Sequence, residues 1–388
     1  MLLIKNGKIF TMEGKIYESG SILIDDGKIC EMGENVVAPL DVEVIDAEGK
    51  IIMPGFIDAH CHLGMWEDAI GFEGADGNEM TDPVTPHLRA IDGINPMDRT
   101  FEETREGGVT CVATGPGSGN VIGGQFAAIK TYGNRIDDMI VKEPLAMKCA
   151  FGENPKRVYN EQKKSPMTRM ATAAILRETL MKANEYKSRL EEAGEDSSKK
   201  PAFDMKMEAM LKVINGEIPL KAHAHRADDI LTSIRIAKEF GVELTLEHCT
   251  EGHLIAEHIK AEGLGAIVGP SFGERSKFEL KNLTFDTPGV LSKAGVKVAI
   301  MTDHPVIPLK HLPLCAALAV KAGMDEKEAL KAITINPAEI LGLDERVGSL
   351  KEGKDADIVI WSQHPFDLKA EVLYTIIDGK VVYKTKCD

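Results

Sequence analysis

The sequence predicts an α/β protein: a (β/α)8 TIM-like barrel with a small β-sandwich domain built from both chain termini. Three observations predict this. Apolar runs of strand length recur eight times, near residues 56–60, 109–114, 126–131, 146–151, 218–223, 242–248, 265–268 and 298–302, with helical patterns between most of them. The two ends of the chain carry short apolar runs separated by hairpin signals. Histidines and carboxylates gather at the ends of predicted strands, where barrels of this kind build their sites.

Taken in order, residues 1–52 read as β-structure. Asn6-Gly7 and Asp26-Gly27, and near the other end Asp378-Gly379, sit between apolar runs. Such pairs supply the positive φ angles of a type I′ turn, so each predicts a hairpin. Residues 356–383 have the same texture, so 1–52 and 344–388 are assigned to one composite domain and 53–343 to the barrel. The first barrel strand ends in His60-Cys61-His62. Residues i and i+2 of a strand share a face, so both imidazoles can reach one metal ion. Cys61 and Cys249 each adjoin an important histidine and are read as wall packing on the opposite face. A glycine-rich loop, residues 115–125, follows the second strand and lets backbone amides approach a ligand. It lacks the Lys-Ser/Thr ending of a phosphate-binding loop. Leu176, Leu180, Ala183, Tyr186 and Leu190 keep three- and four-residue spacing, which predicts a long amphipathic helix within 167–200. That helix covers the barrel, or serves as a lid or oligomer contact.

The chain has 388 residues and a formal net charge of -15, which excludes a broad basic surface for nucleic acid. No apolar run is long enough to span a membrane. The N-terminus has no secretory leader pattern, so a cytoplasmic protein acting on small molecules is expected, with a homo-oligomer open. The seven cysteines are dispersed and read as reduced thiols.

Three further strand ends carry candidate ligands: His223, His248 and Asp303. With His60 and His62 they fall on the first, fifth, sixth and eighth strands. Lys148 lies within the fourth strand and Glu153 just beyond it. In this arrangement the sequence resembles the amidohydrolase superfamily of metal-dependent hydrolases over nearly its whole length. The resemblance includes residues 54–62 (Pro-Gly-Phe-Ile-Asp-Ala-His-Cys-His), Thr302-Asp303 and the closing residues 348–361. Within the superfamily it is similar to the imidazolonepropionase-related and prolidase-like branch.

The resemblance implies that His60 and His62 bind the more buried of two divalent metals, and that His223 and His248 bind the second. It implies that Asp303 binds metal and takes the proton of the attacking water. Two zinc ions are the expected cofactor, although histidine and carboxylate ligands also suit Mn, Fe and Co. A two-metal site needs a bridge, supplied either by Glu153, favoured for its strand-end position, or by a carboxylated Lys148. Deaminases and true imidazolonepropionases resemble His-x-x-Glu on the fifth strand, whereas this chain has Arg226 three residues after His223. That departure favours a two-metal hydrolase of amide or cyclic-amide C–N bonds, with a dipeptide or an N-acyl amino acid as substrate. A one-metal deaminase or imidazolone-ring hydrolase is the first alternative, and a non-catalytic assembly protein the second. Gly119, His225, Arg226 and Lys277 fall in predicted mouth loops and are candidates for substrate binding; the basic ones suit a substrate carboxylate. His225 shares a strand face with His223 and is also an alternative ligand.

Overall fold

The computed structural model describes residues 1–69 and 71–385. The chain opens with β1 (Leu2–Phe10), β2 (Ile16–Asp25), β3 (Lys28–Gly33), β4 (Glu43–Asp46) and β5 (Ile51–Pro54). The barrel strands are β6 (Phe56–Cys61), β7 (Val109–Thr114), β8 (Ile122–Lys130), β9 (Ile140–Ala150), β10 (Leu220–Ala224), β11 (Leu244–His248), β12 (Ala266–Val268) and β13 (Val298–Ile300). The chain closes with β14 (Ile358–Trp361), β15 (Val372–Ile377) and β16 (Lys380–Lys384). Helices α1 (Thr100–Glu106), α2 (Glu153–Glu161), α3 (Arg169–Ala193), α4 (Met205–Ile214), α5 (Ala227–Phe240), α6 (Ala256–Ala261), α7 (Thr287–Ala294), α8 (Leu312–Lys321), α9 (Glu326–Lys331) and α10 (Ile335–Leu341) surround the barrel sheet or follow it.

All eight predicted barrel strands are present and form one sheet in the order β13-β12-β11-β10-β9-β8-β7-β6. One of them runs backwards. β8 is antiparallel to both β7 and β9, pairing Ala113 with Ala128 and Gly124 with Lys148. The short glycine-rich connection explains the reversal. A parallel crossover needs a dozen or more residues, whereas an antiparallel partner can be reached by a short loop. The remaining neighbours are parallel, with Lys148 opposite Lys221 and His223 opposite Glu247.

Among the described residues no strand ladder joins β13 to β6. The gap is closed by other bonds. The His62 amide donates to the His304 carbonyl at 2.9 Å. Asp58 Oδ2 accepts from the Thr302 amide at 2.8 Å and from the Thr302 hydroxyl at 2.6 Å.

Both chain ends build a second sheet, ordered β16-β15-β14-β5-β1-β2-β3, with β4 also paired to β1. Its core is Ile4, Ile9, Ile22, Ile24, Ile52, Ile358 and Ile376, all buried. Asp26-Gly27 and Asp378-Gly379 turn with positive φ between β2 and β3 and between β15 and β16, as hairpins should. Asn6-Gly7 does not turn the chain. It forms a bulge inside β1, with Asn6 at φ 57 and a shift of register between Ile4 and Gly7. Asn6 Nδ2 bonds both carboxylate oxygens of Asp46, and a Cβ at Gly7 would run into Ile52. The pair therefore fits the bulge for the same conformational reason that it fits a turn.

α3 is the predicted long helix. Leu176, Leu180, Ala183 and Tyr186 are buried, Thr168 caps its start by accepting from the Ala171 amide, and it packs on α4 and α5. Cys30, Cys61, Cys111, Cys149, Cys249 and Cys315 are free thiols; Cys387 lies outside the described residues.

The barrel meets the terminal sheet through Phe56 stacked on Trp361, with ring centroids 5.3 Å apart. Beside them Lys130 lies 2.7 Å from Asp357, 3.0 Å from Asp355 and 3.1 Å from Asp378. Burial pulls the Lys130 ammonium down, but the three aspartates outweigh it and hold its pKa above the ordinary lysine value. Replacing Lys130 with Met leaves Asp357 buried without its cation. We expect about 3–5 kcal/mol of lost stability in urea unfolding; a loss below about 1 kcal/mol would show that the cluster does not hold the sheet to the barrel.

Candidate metal centre

β6 presents Asp58, His60 and, one residue past its end, His62 on the same face. Asp303 follows β13 at φ 53, a left-handed conformation that non-glycine residues seldom adopt without a local reason. Its Oδ1 lies 3.2 Å from His62 Nε2 and 3.5 Å from His60 Nε2. His60, His62 and Asp303 thus offer ligand atoms that lie within 4.8 Å of one another.

His223, His225 and His248 form a second group of the same kind. Adjacent residues of a regular strand face opposite ways, yet both Glu247 and His248 reach His60 from β11. Positive φ at His248 (70) and Cys249 (47) ends the extended strand and turns the second imidazole inward. The His60 and His248 rings are 5.4 Å apart, so the two groups adjoin.

Ring partners define the tautomers. His62 Nδ1 donates to the Gly115 carbonyl at 2.7 Å, and His248 Nδ1 donates to the Gly269 carbonyl at 2.8 Å. A carbonyl only accepts, so Nδ1 carries the hydrogen in both, and the neutral form of each ring has its lone pair on Nε2, on the site side. His60 Nδ1 lies 2.8 Å from Glu247 Oε2. His248 Nε2 is buried with no hydrogen-bond partner, which is the condition of a nitrogen shaped to bind a metal. Burial, first of all, pushes His60, His223 and His248 well below the usual histidine range, and pushes His225 down to about 3. The Lys148 charge adds to the shift in all four. Neutral imidazole is the ligating form. The donor set therefore fits divalent metal ions.

Lys148 stands at the junction of the two groups. It is fully buried, and its Nζ donates to His60 Nε2 at 2.9 Å. Burial lowers its ammonium pKa to about 8, against the opposing pull of Asp303 and Glu247. Glu153 belongs to neither histidine group. It opens α2, and its backbone amide donates to Glu279 Oε2 at 2.8 Å. Of the candidate substrate residues, His225 joins the second histidine group. The Gly119 amide is taken by Asn78 Oδ1 at 2.8 Å. Arg226 makes a two-point contact with Asp228, at 2.9 and 2.8 Å. Lys277 Nζ donates to Asn154 Oδ1 at 2.8 Å, and Asn154 Nδ2 in turn lies 3.5 Å from His223 Nε2.

Four buried residues join the site that sequence reasoning did not select. Asp58 also accepts from the His60 amide at 2.9 Å, and burial pushes its carboxyl up to about 7. Its position two residues before His60 was the available signal. Lys221 and Glu247 lie below the histidines, and Lys221 stands two residues before His223. Glu279 carries a buried Oε1 with no hydrogen-bond partner, 3.8 Å from His225 Nε2. It sits in a short 3-10 turn, Phe278–Leu280, where no motif marks it.

A barrel with one reversed strand and two histidine groups at the C-terminal ends of its strands defines a candidate metal-site architecture. Comparison with known proteins gives the family. The model of the Amidohydrolase family matches residues 51–382. A solved amidohydrolase from Thermotoga maritima MSB8 is 46% identical with a TM-score of 0.96, covering 99% of this chain and 100% of that one. Amidohydrolase tasK of Hapsidospora irregularis is 30% identical over 93% of this chain, which spans only 39% of that longer relative. A dihydroorotase from Aquifex aeolicus is 26% identical over 99% of both chains. The chain belongs to the amidohydrolase family, hydrolases of carbon–nitrogen bonds. No helix among the described residues is long and apolar enough to cross a membrane.

Asp58 gives a direct test of the barrel closure. In Asp58→Asn the amide nitrogen meets N–H or O–H donors that it cannot accept from. We expect a loss on the order of 3 kcal/mol in thermal unfolding. An unchanged melting temperature would mean that the Thr302 contacts contribute nothing to closure.

Proposed function

We propose that the chain hydrolyses amide or cyclic-amide C–N bonds at a two-metal site, with zinc as the expected ion and dipeptides or N-acyl amino acids as substrates. The observation that carries this reading is the pair of adjoining ligand groups, His60–His62–Asp303 and His223–His225–His248, with the Lys148 amine between them. Bound there, divalent ions supply Lewis-acid polarisation and a water acidic enough to lose a proton near neutral pH.

Asp303 is the group placed to accept that proton, because its Oδ1 is within 3.5 Å of both β6 histidines. Lys148 is the better candidate for the bridge. An amine whose pKa is about 8 is partly neutral near pH 7, and the neutral amine adds CO2 to give a carbamate and a proton. The carbamate offers two oxygens, one for each group. Glu153 has no comparable contact. For the substrate carboxylate we assign Lys277, which is part-exposed, bonded to Asn154 at 2.8 Å and paired only loosely with Glu279 at 3.8 Å, ahead of Arg226, which Asp228 holds at two points. Arg226 also stands where a one-metal deaminase would need a carboxylate. We further assign 53–343 to the catalytic barrel and 1–52 with 344–388 to the terminal domain.

Elemental analysis of protein prepared with bicarbonate should find about two ions per chain, and a chelator should abolish activity on a panel of N-acyl amino acids, dipeptides and lactams. One ion per chain with full activity would sink the two-metal reading. Lys148→Ala should lose metal and lower kcat/KM by at least about 10^2-fold. Asp303→Asn should lower kcat by about 10^2–10^4-fold; a fall of less than about tenfold would remove Asp303 from the proton transfer.

A further inference from the structure

We propose that Glu247, balanced by Lys221, is the positioning residue that fixes the tautomer and ring plane of His60, and so the affinity of the first ion; this rests on the two-metal reading. Both side chains are 0% exposed, as is His60. Glu247 Oε2 accepts from His60 Nδ1 at 2.8 Å and from Lys221 Nζ at 2.8 Å. Its Oε1 accepts from the Thr245 hydroxyl at 2.7 Å. Lys221 also donates to the Ala59 carbonyl at 2.9 Å, the peptide group immediately before His60. The carboxylate is thus held on both oxygens, and the cation that holds it also grips the backbone that carries the ligand.

Stability alone does not account for this pair. A buried ion pair loses in desolvation much of what it gains in attraction, and apolar replacements of similar volume are often neutral or stabilising. Its contact with His60 gives it a purpose. An ionised carboxylate can only accept, so Nδ1 must carry the hydrogen, and in the neutral ring Nε2 carries the lone pair, which here accepts from Lys148 Nζ and is free for an ion once that amine is otherwise engaged. His62 and His248 obtain the same result from backbone carbonyls, which substitution cannot remove. His60 alone of these three depends on a side chain, so its orientation can be varied separately.

The test is titration of chelator-stripped protein with Co2+, followed by visible absorption, together with nitrogen NMR of the imidazoles. Wild type should bind two ions. Glu247→Ala and the charge-neutral Lys221→Met/Glu247→Leu double variant should bind one of them about 10–100-fold more weakly. Glu247→Gln, whose amide oxygen can still accept from Nδ1, should recover most of that affinity and keep the His60 hydrogen on Nδ1. The double variant buries no unpaired charge, so it keeps the test open if Glu247→Ala does not fold. Wild-type affinity for both ions in the folded double variant would overturn the proposal and leave the pair as a cross-barrel brace. Failure of wild type to bind Co2+ would instead overturn the two-metal reading, and this inference with it.

Discussion

Asp58 holds the first and last barrel strands together, and the geometry of the His60–His62–Asp303 group follows from that contact. Where a ladder would run between β6 and β13, its carboxylate accepts from the Thr302 amide and hydroxyl on one side and from the His60 amide on the other. Thr302 precedes Asp303, and the His62 amide bonds the carbonyl of His304. One buried side chain therefore fixes the backbone on both sides of three proposed ligands. Ligands drawn from opposite ends of a chain can keep sub-ångström relations only if the elements between them are locked, and here the lock lies directly beneath the site.

Above that closure the electrostatics run in one direction. Burial disfavours the protonated form of His60, His223 and His248, and the Lys148 charge pushes further the same way. The neutral, ligating form is thereby favoured in these three rings around the buried Lys148. Left without compensation, such a cluster would be costly, since buried polar atoms need partners. The orphaned His248 Nε2 shows where compensation is missing in the protein alone. The positive φ angles of His248 and Asp303 belong to the same account. Backbone strain of about 1–3 kcal/mol per residue is held by the surrounding barrel, and at each position it turns a proposed ligand inward.

Much of this was legible in the sequence. Strand-length apolar runs marked all eight barrel strands, and the alternation of His60 with His62 marked two members of the first candidate ligand group. Three features were not legible, for physical reasons. The direction of β8 depends on loop length, while an apolar run reads alike in either direction. Asn6-Gly7 signals positive φ, but a bulge and a turn both use it. Glu247 was hidden because strand alternation places it opposite His248, and only the left-handed kink at His248 brings both residues to one side. Strand-end position favoured Glu153 for the proposed bridge; Lys148, deeper in the strand, reaches His60 because its side chain is long and flexible.

The reversal of β8 also decides how the loops at the barrel mouth connect to the candidate metal centre. Because the chain turns back at the mouth, residues 115–121 form a tight arch instead of a path to a helix. Gly115 at its start holds the His62 ring through its carbonyl. Gly119 within it is held by Asn78, and Asn120 donates to the Glu79 carbonyl and to Thr85. The segment after β6 and the arch after β7 are thus bonded to each other and to a proposed ligand. Trp66 from the same segment packs edge-on against the His62 ring, with centroids 4.9 Å apart. These contacts couple the position of the His62 ring to both segments. On the far side of the mouth the proposed substrate residue Lys277 reaches the second histidine group indirectly, through Asn154 to His223 and through Glu279 to His225.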